Sequence, residues 1–252
     1  MSYRLGRATL DDVPALARMA GDAFRTDRQT QMKALGQAQP FDMEAYTLQA
    51  LPRDMSRPRS VVLKVVDPNN DQKIMGYINW GFHGFTLEDI PGQEEHLAEA
   101  PSPPSPPPPA KPTVDPPPPP PTADVTDPIQ KLEQLTGNDL QAWVNENNAE
   151  GSRCLFIIGL VVAPEYQRRG VARALLQWGT DICDAQRVFA WVHASDPSWT
   201  TYQKVGFEVV RALNVDLDEF APTPPPKEEG PDAVWGHYVF RYMKYLPKSR
   251  VG

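Results

Sequence analysis

Two spacings of apolar residues alternate along the chain. In "TLDDVPALARMAGDAF", Val13, Leu16, Ala17, Ala20 and Phe24 recur at helical spacing, which predicts an amphipathic helix. Asp11 is placed to cap it, with Pro14 in the first turn, where a missing N–H costs nothing. Tyr3 to Ala8 alternates weakly, as a short strand would, and "FDMEAYTLQALPRDM" predicts a second helix ending near Pro52. "VVLKVV" (61–66) and "IMGYINW" (74–80) then predict the two strands of a hairpin, joined through the turn residues 67–71. Further on, "DPIQKLEQLTGNDLQAWVNENN" predicts two short helices broken at Gly137, with Asn138 and Gln141 spaced as a capping box. "CLFIIGLVVAP" is apolar without alternation, as a strand buried on both faces at the centre of a sheet would be. Gly159 inside it marks a bulge or a close backbone approach. A helix starts at Gly170 with the stripe Val171, Leu175, Trp178 and Ile182, and "VFAWVHA" (188–194) is the next strand. "SWTTYQKVG" is a short helix closed by Gly206, and Phe207 to Val215 and Trp235 to Leu246 alternate as two long strands.

The order is β-α-α-β-β-(insert)-β-α-β-α-β-β. A mixed α/β sheet follows. The β-α-β unit from Leu155 to Ala194 pairs in parallel through a right-handed crossover, and the hairpins pair antiparallel. Composition adds one large anomaly. Of 29 prolines, 15 fall between Pro101 and Pro128, a stretch that can form neither ladder nor helix and is expected to be extended or disordered. The whole chain, 40% hydrophobic and 23% charged, reads as a soluble globular protein. A net charge of −7 argues against a general nucleic-acid partner. Cys154 and Cys183 both lie in apolar segments, as buried thiols would in a reducing compartment. The N-terminus has no secretory apolar region and no apolar run is long enough to cross a bilayer, so no membrane association and a cytoplasmic location are expected. His83, His96 and His237 have no metal-ligand spacing, and no metal is expected.

The chemistry concentrates at "VVAPEYQRRGVARALL", where a buried strand stops and a helix opens. The first amides of a helix have no partner within it and face outward at the positive end of its dipole, ready for a phosphate. Gly170 has no Cβ, so a phosphate can approach the main chain, and Ala172 keeps the same side low. Arg168 and Arg169 add charge for further oxygens. Neither G-x-x-x-x-G-K-[ST] nor G-x-G-x-x-G occurs, which excludes the two commonest phosphate turns.

With "LVVAPEYQRRGVARALL" goes a second segment, "ASDPSWTTYQKVGFE", and an opening "RLGRATLDDVPALARMA". Together they resemble the GNAT superfamily of acetyl-CoA-dependent N-acetyltransferases, over nearly the whole chain outside about residues 84–150. The resemblance implies a single domain over residues 1–252. Its sheet is mixed and mostly antiparallel, flanked by helices, with a splayed central parallel strand pair. A proline-rich insert at about 84–128 and a helical segment at about 129–149 interrupt it. The implied co-substrate is acetyl-CoA. Its pyrophosphate would lie on the loop formed by Gln167, Arg168, Arg169, Gly170, Val171, Ala172 and Arg173, and its pantetheine arm along Leu160, Val161 and Val162. Tyr202 would protonate the departing thiolate. The acceptor would be a small-molecule or peptide amine. The family's usual strand carboxylate is missing from "CLFIIGLVV". His193 is a candidate base, set against a strand-end histidine held by hydrogen bonds. Trp80, Phe82 and Phe85 could line an acceptor pocket, set against plain core packing, and Leu140 to Val144 are expected to help wall it. The alternative is a non-catalytic coenzyme-A-binding protein or a scaffold using the proline-rich insert. Oligomeric state is left open.

Overall fold

The computed structural model describes residues 3–36, 40–91 and 127–248. The proline-rich stretch lies almost wholly outside the described residues. Seven strands, β1 (Arg4–Arg7), β2 (Ser60–Asp67), β3 (Asn70–His83), β4 (Cys154–Val162), β5 (Phe189–Ala194), β6 (Glu208–Asp216) and β7 (His237–Tyr245), form one sheet in the order β1-β2-β3-β4-β5-β7-β6. Every pairing is antiparallel except β4 with β5. This is the mixed sheet expected from the element order. The β2–β3 turn tightens to Pro68-Asn69, and the Asp67 carboxylate accepts from the Asn69 amide at 2.9 Å.

Among the described residues, six helices flank it: α1 (Val13–Phe24), α2 (Arg28–Lys33), α3 (Met43–Met55), α4 (Pro128–Asn147), α5 (Val171–Gln186) and α6 (Trp199–Gln203). Alternation along β3 sorts them onto two faces. Trp80 points at α5, where its ring lies against Gly179, while its neighbour Asn79 donates to Asp54 of α3 at 2.8 Å. α1 packs on α3. Both therefore lie on the Asn79 face. α4 shares that face at the far end of the sheet. Its Trp143 packs on Trp191 and Tyr242, and its Ile129 and Leu132 join Met32 of α2 against Tyr238 and Phe240.

Three local expectations are corrected. α1 starts one turn differently. Thr9 and Asp12 cap a 3-10 turn reciprocally, with the Asp12 carboxylate accepting from the Thr9 amide at 2.7 Å and from Lys64 Nζ at 2.6 Å. α3 runs on through Pro52 to Met55. The expected pair of helices around Gly137 is one continuous helix, α4, capped by Asp127, and Asn138 and Gln141 fall in its interior. A mid-helix glycine costs only about 1 kcal/mol. The apolar anchors at both ends, Ile129 with Leu132 and Trp143, outweigh that cost.

Candidate active site

β4 is where the sheet opens. Its parallel ladder with β5 covers only Cys154–Ile157 against Phe189–Val192. On its other edge β4 stays paired with β3 as far as Val162, but the register jumps at Ile158, which is left out of the ladder. The extra residue bends the strand. Beyond it, Gly159 to Val162 keep β3 on one side and have no β5 partner on the other, while β5 stays with β7. A Cβ on Gly159 would meet nothing within 4 Å. The unpaired backbone borders a groove of about 840 Å³. Leu160, Val161 and Val162 form one wall; Ser195, Pro197, Ser198 and Thr201, before and within α6, form the other.

One end of the groove is the loop from Gln167 to Arg173. The main chain is left-handed at Arg168 (φ 59°) and at Gly170 (φ 89°), with Arg169 between them. Such reversals of hand turn successive amides inward, the geometry of an anion nest. Gly170 holds the capping position of α5, and no side chain caps the helix. The first amides, Val171 to Arg173, are left for a ligand. Gln167 ties the loop to the strand, its Nε2 donating to the Val162 carbonyl at 3.2 Å. Gln167, Arg168, Gly170, Val171, Ala172 and Arg173 all line the groove. Arg169 does not share that position. Its guanidinium lies 5.5 Å over the Tyr166 ring, and its carbonyl accepts from the Tyr3 hydroxyl.

Tyr202 lies one layer behind the α6 wall. It is 5% exposed, edge-to-face on Phe207 at 5.9 Å, and burial pushes its phenol well above the ordinary tyrosine range. The polar side chain facing that phenol is Ser198, which does line the groove.

The structure overturns other expectations of site residues. His193 is sandwiched between Phe240 (4.9 Å) and Tyr242 (4.7 Å), and its buried Nε2 has no partner. Burial lowers its pKa to about 4, and it does not line the groove. Its ring packs against core aromatics, away from the groove. Trp80 (0% exposed) and Phe82 (2%) belong to the core under α5, because strand alternation turns them to that face, and Phe85 packs edge-to-face on Phe82. Leu140 to Val144 cover β5 and β7, packing on Trp191 and Tyr242, and are absent from the groove walls. Among the described residues, no group of three or more His, Cys, Asp or Glu is gathered to hold a metal ion.

Several groove residues escaped the sequence reading, the Ser195, Ser198 and Thr201 wall and Asp27 among them. Asp27, between α1 and α2, is only 7% exposed yet lines the end of the groove away from the loop. Its signal was present in "DRQT": an aspartate three residues before a threonine, at a helix start. It was missed because the six-residue α2 was missed.

The acetyltransferase (GNAT) family model matches residues 136–207, which run from α4 through β4, the loop, α5 and β5 to the residues after α6. The fold matches arylalkylamine N-acetyltransferase 2 from Aedes aegypti (TM-score 0.56, 14% identity, 98% of this chain and 100% of that one). It matches a putative arylalkylamine N-acetyltransferase 7 from the same mosquito (TM-score 0.56, 18% identity, 97% and 87%). A third match is histone acetyltransferase HPA2 and related acetyltransferase from Corynebacterium glutamicum (TM-score 0.51, 13% identity, 100% of both chains). No curated protein matches the sequence. No described helix is long and apolar enough to cross a membrane. The anion nest that opens α5 and the β4–β5 pair that parts after four residues both lie within the segment, residues 136–207, that matches the acetyltransferase (GNAT) family model.

Proposed function

We propose that the protein transfers an acetyl group from acetyl-CoA to a primary amine, on a small molecule or a peptide. One observation carries the proposal: a single groove joins a nest of free amides to an unpaired strand edge. That shape suits a long cofactor with a pyrophosphate at one end and an amide-containing arm beyond it. The pyrophosphate would rest on the amides from Arg168 to Arg173. The pantetheine amides would pair with Leu160 to Val162 as an added strand. This seats the thioester between β4 and the Ser195–Ser198 wall.

The amine then attacks the thioester carbon directly, and holding the two reactants in register supplies much of the rate. The leaving thiolate needs a proton. Tyr202, buried behind the α6 wall, is assigned as its donor. Burial keeps the phenol protonated near neutral pH. A release assay for free coenzyme A, with acetyl-CoA and a panel of small-molecule and peptide amines, tests the proposal. Turnover on at least one amine is expected. Tight cofactor binding with no turnover on any amine would instead select a non-catalytic coenzyme-A-binding protein, a reading favoured by the position of Tyr202 behind the wall.

A further inference from the structure

Two described residues other than glycine hold a left-handed backbone, Arg168 (φ 59°) and Arg187 (φ 58°). Arg187 has a local reason. It ends α5, and its amide donates to the Cys183 carbonyl. Arg168 ends no helix. A residue with a Cβ persists in this conformation only where its surroundings over-determine it. Before Arg168, Gln167 is tied to the Val162 carbonyl. After it comes the peptide joining Arg169 to Gly170, and glycine is the residue that restrains its backbone least. The local sequence therefore does not fix which way that peptide faces. The first bond of α5, from the Ala174 amide to the Gly170 carbonyl at 3.1 Å, starts one residue too late to hold it.

The hold comes from 166 positions away, where the Tyr3 hydroxyl donates to the Arg169 carbonyl. Tyr3 stands immediately before β1, whose Arg4 pairs with Val66 of β2, and it packs on the main core. Its ring lies 3.8 Å from where a Cβ on Gly170 would stand. Gly170 lines the groove, whereas Tyr3 and Arg169 do not, so the hydroxyl meets this peptide from behind. The peptide is trans, and in a trans peptide the C=O and the N–H point in opposite directions. A carbonyl held outward by Tyr3 therefore turns the Gly170 N–H inward. Packing alone does not explain the contact, because a phenylalanine ring would fill the same space without a hydroxyl.

We propose that Tyr3 is a positioning residue for the cofactor: its hydroxyl fixes the Arg169–Gly170 peptide with the amide facing the groove, so that the pyrophosphate meets a nest already formed. The inference rests on the acetyl-CoA reading given above. Tyr3 touches no part of the cofactor and acts by population. Without the clamp, inward and outward orientations of the peptide share the free protein, and the apparent affinity falls with the fraction that faces inward. The Arg169 side chain takes no part, since the bond is made to its carbonyl.

Tyr3→Phe is the test, because it keeps the ring and removes the hydroxyl. Three quantities are read together: the coenzyme A Kd by calorimetry, the melting midpoint of the free protein, and the amide resonance of Gly170. Kd should rise about fivefold, the scale of one net hydrogen bond. The Gly170 resonance should move in the free variant and coincide with that of the wild-type complex once coenzyme A is saturating, while the Val161 amide of β4 stays in place. The melting midpoint should fall by no more than about 3 °C. A residue that merely anchors the first strand gives a different pattern: a lower midpoint, Kd within about 1.5-fold of wild type and an unmoved Gly170 resonance. That result overturns the proposal and leaves acetyl-CoA binding standing. A wild-type protein that binds no coenzyme A overturns both.

Discussion

At its loop end the groove is made of backbone: left-handed turns at Arg168 and Gly170 and the free amides that open α5. At its Asp27 end it is made of side chains, brought from the α1–α2 junction, the β5–α6 loop and β7. The first end is contiguous in sequence, within seven residues from Gln167 to Arg173. The second joins residues 211 positions apart. A site built from main-chain amides depends on conformation and on the absence of bulk. A site built from side chains depends on identity at each position. The two ends should therefore fail in different ways when mutated.

Gly170→Val is the strongest way to break the loop end. It places a branched side chain at φ 89° in the loop that forms the nest, its Cβ 3.8 Å from the Tyr3 ring. Acetyl-CoA affinity should fall on the order of 100-fold, since left-handed backbone alone costs about 1–2 kcal/mol and the added bulk meets the Tyr3 ring. Calorimetric titration measures this; an unchanged Kd would remove the nest from cofactor binding. Tyr202→Phe addresses the other end. It keeps the packing on Phe207 and should lower kcat about 10- to 100-fold with Kd unchanged. A Tyr202→Phe enzyme as fast as wild type would leave the phenol a packing group only.

Gly179→Ala separates the site from the core behind it. A Cβ there would lie 2.3 Å from the Trp80 ring, so overpacking should cost about 1–3 kcal/mol of stability. Thermal melting should show this as a lower midpoint, with Kd and kcat per folded molecule unchanged; a selective loss of acceptor affinity instead would return Trp80 to the acceptor pocket. The smallest effect belongs to Arg169→Ala. Its side chain lies on Tyr166, so Kd should change by less than about threefold. A tenfold loss would mean that the nest works through this side chain rather than through its amides.

The same contrast governs what was legible in the sequence. The buried strand "CLFIIGLVV", the glycine within it and the arginine–glycine turn after it are local signals, and the ladder, the bulge beside Gly159 and the open end of α5 follow them closely. The element order and the single parallel pair were legible too, because apolar period and connection length decide them. The acceptor end was not. Trp80 and Phe82 could be read as pocket or as core from their place in the chain, because which face of β3 they take is fixed by register against β2 and β4. His193 has the chemistry of a base at its ordinary pKa, and only tertiary burial between two rings removes it. Asp27 looked like nothing more than a polar residue between helices until β7 brought Tyr238 to it. Gly137 looked like a break because propensity is a weak prior, overridden by the packing of α4 at both ends.

The short parallel ladder also has a mechanical meaning. Strands β1 to β4 and strands β5, β7 and β6 make two half-sheets, and among the described residues the pairs from Cys154–Phe189 to Ile157–Val192 are their only strand-to-strand seam. Such a line is where a sheet gives way first, and α5, packed on β3, β4 and β5, spans it from one face. A cofactor lying in the cleft would act as a second fastener across the same line. Bound protein should then resist opening as a whole, with slowed amide exchange from Gly159 to Val162 and along the facing end of β5, and a melting midpoint that rises with cofactor concentration.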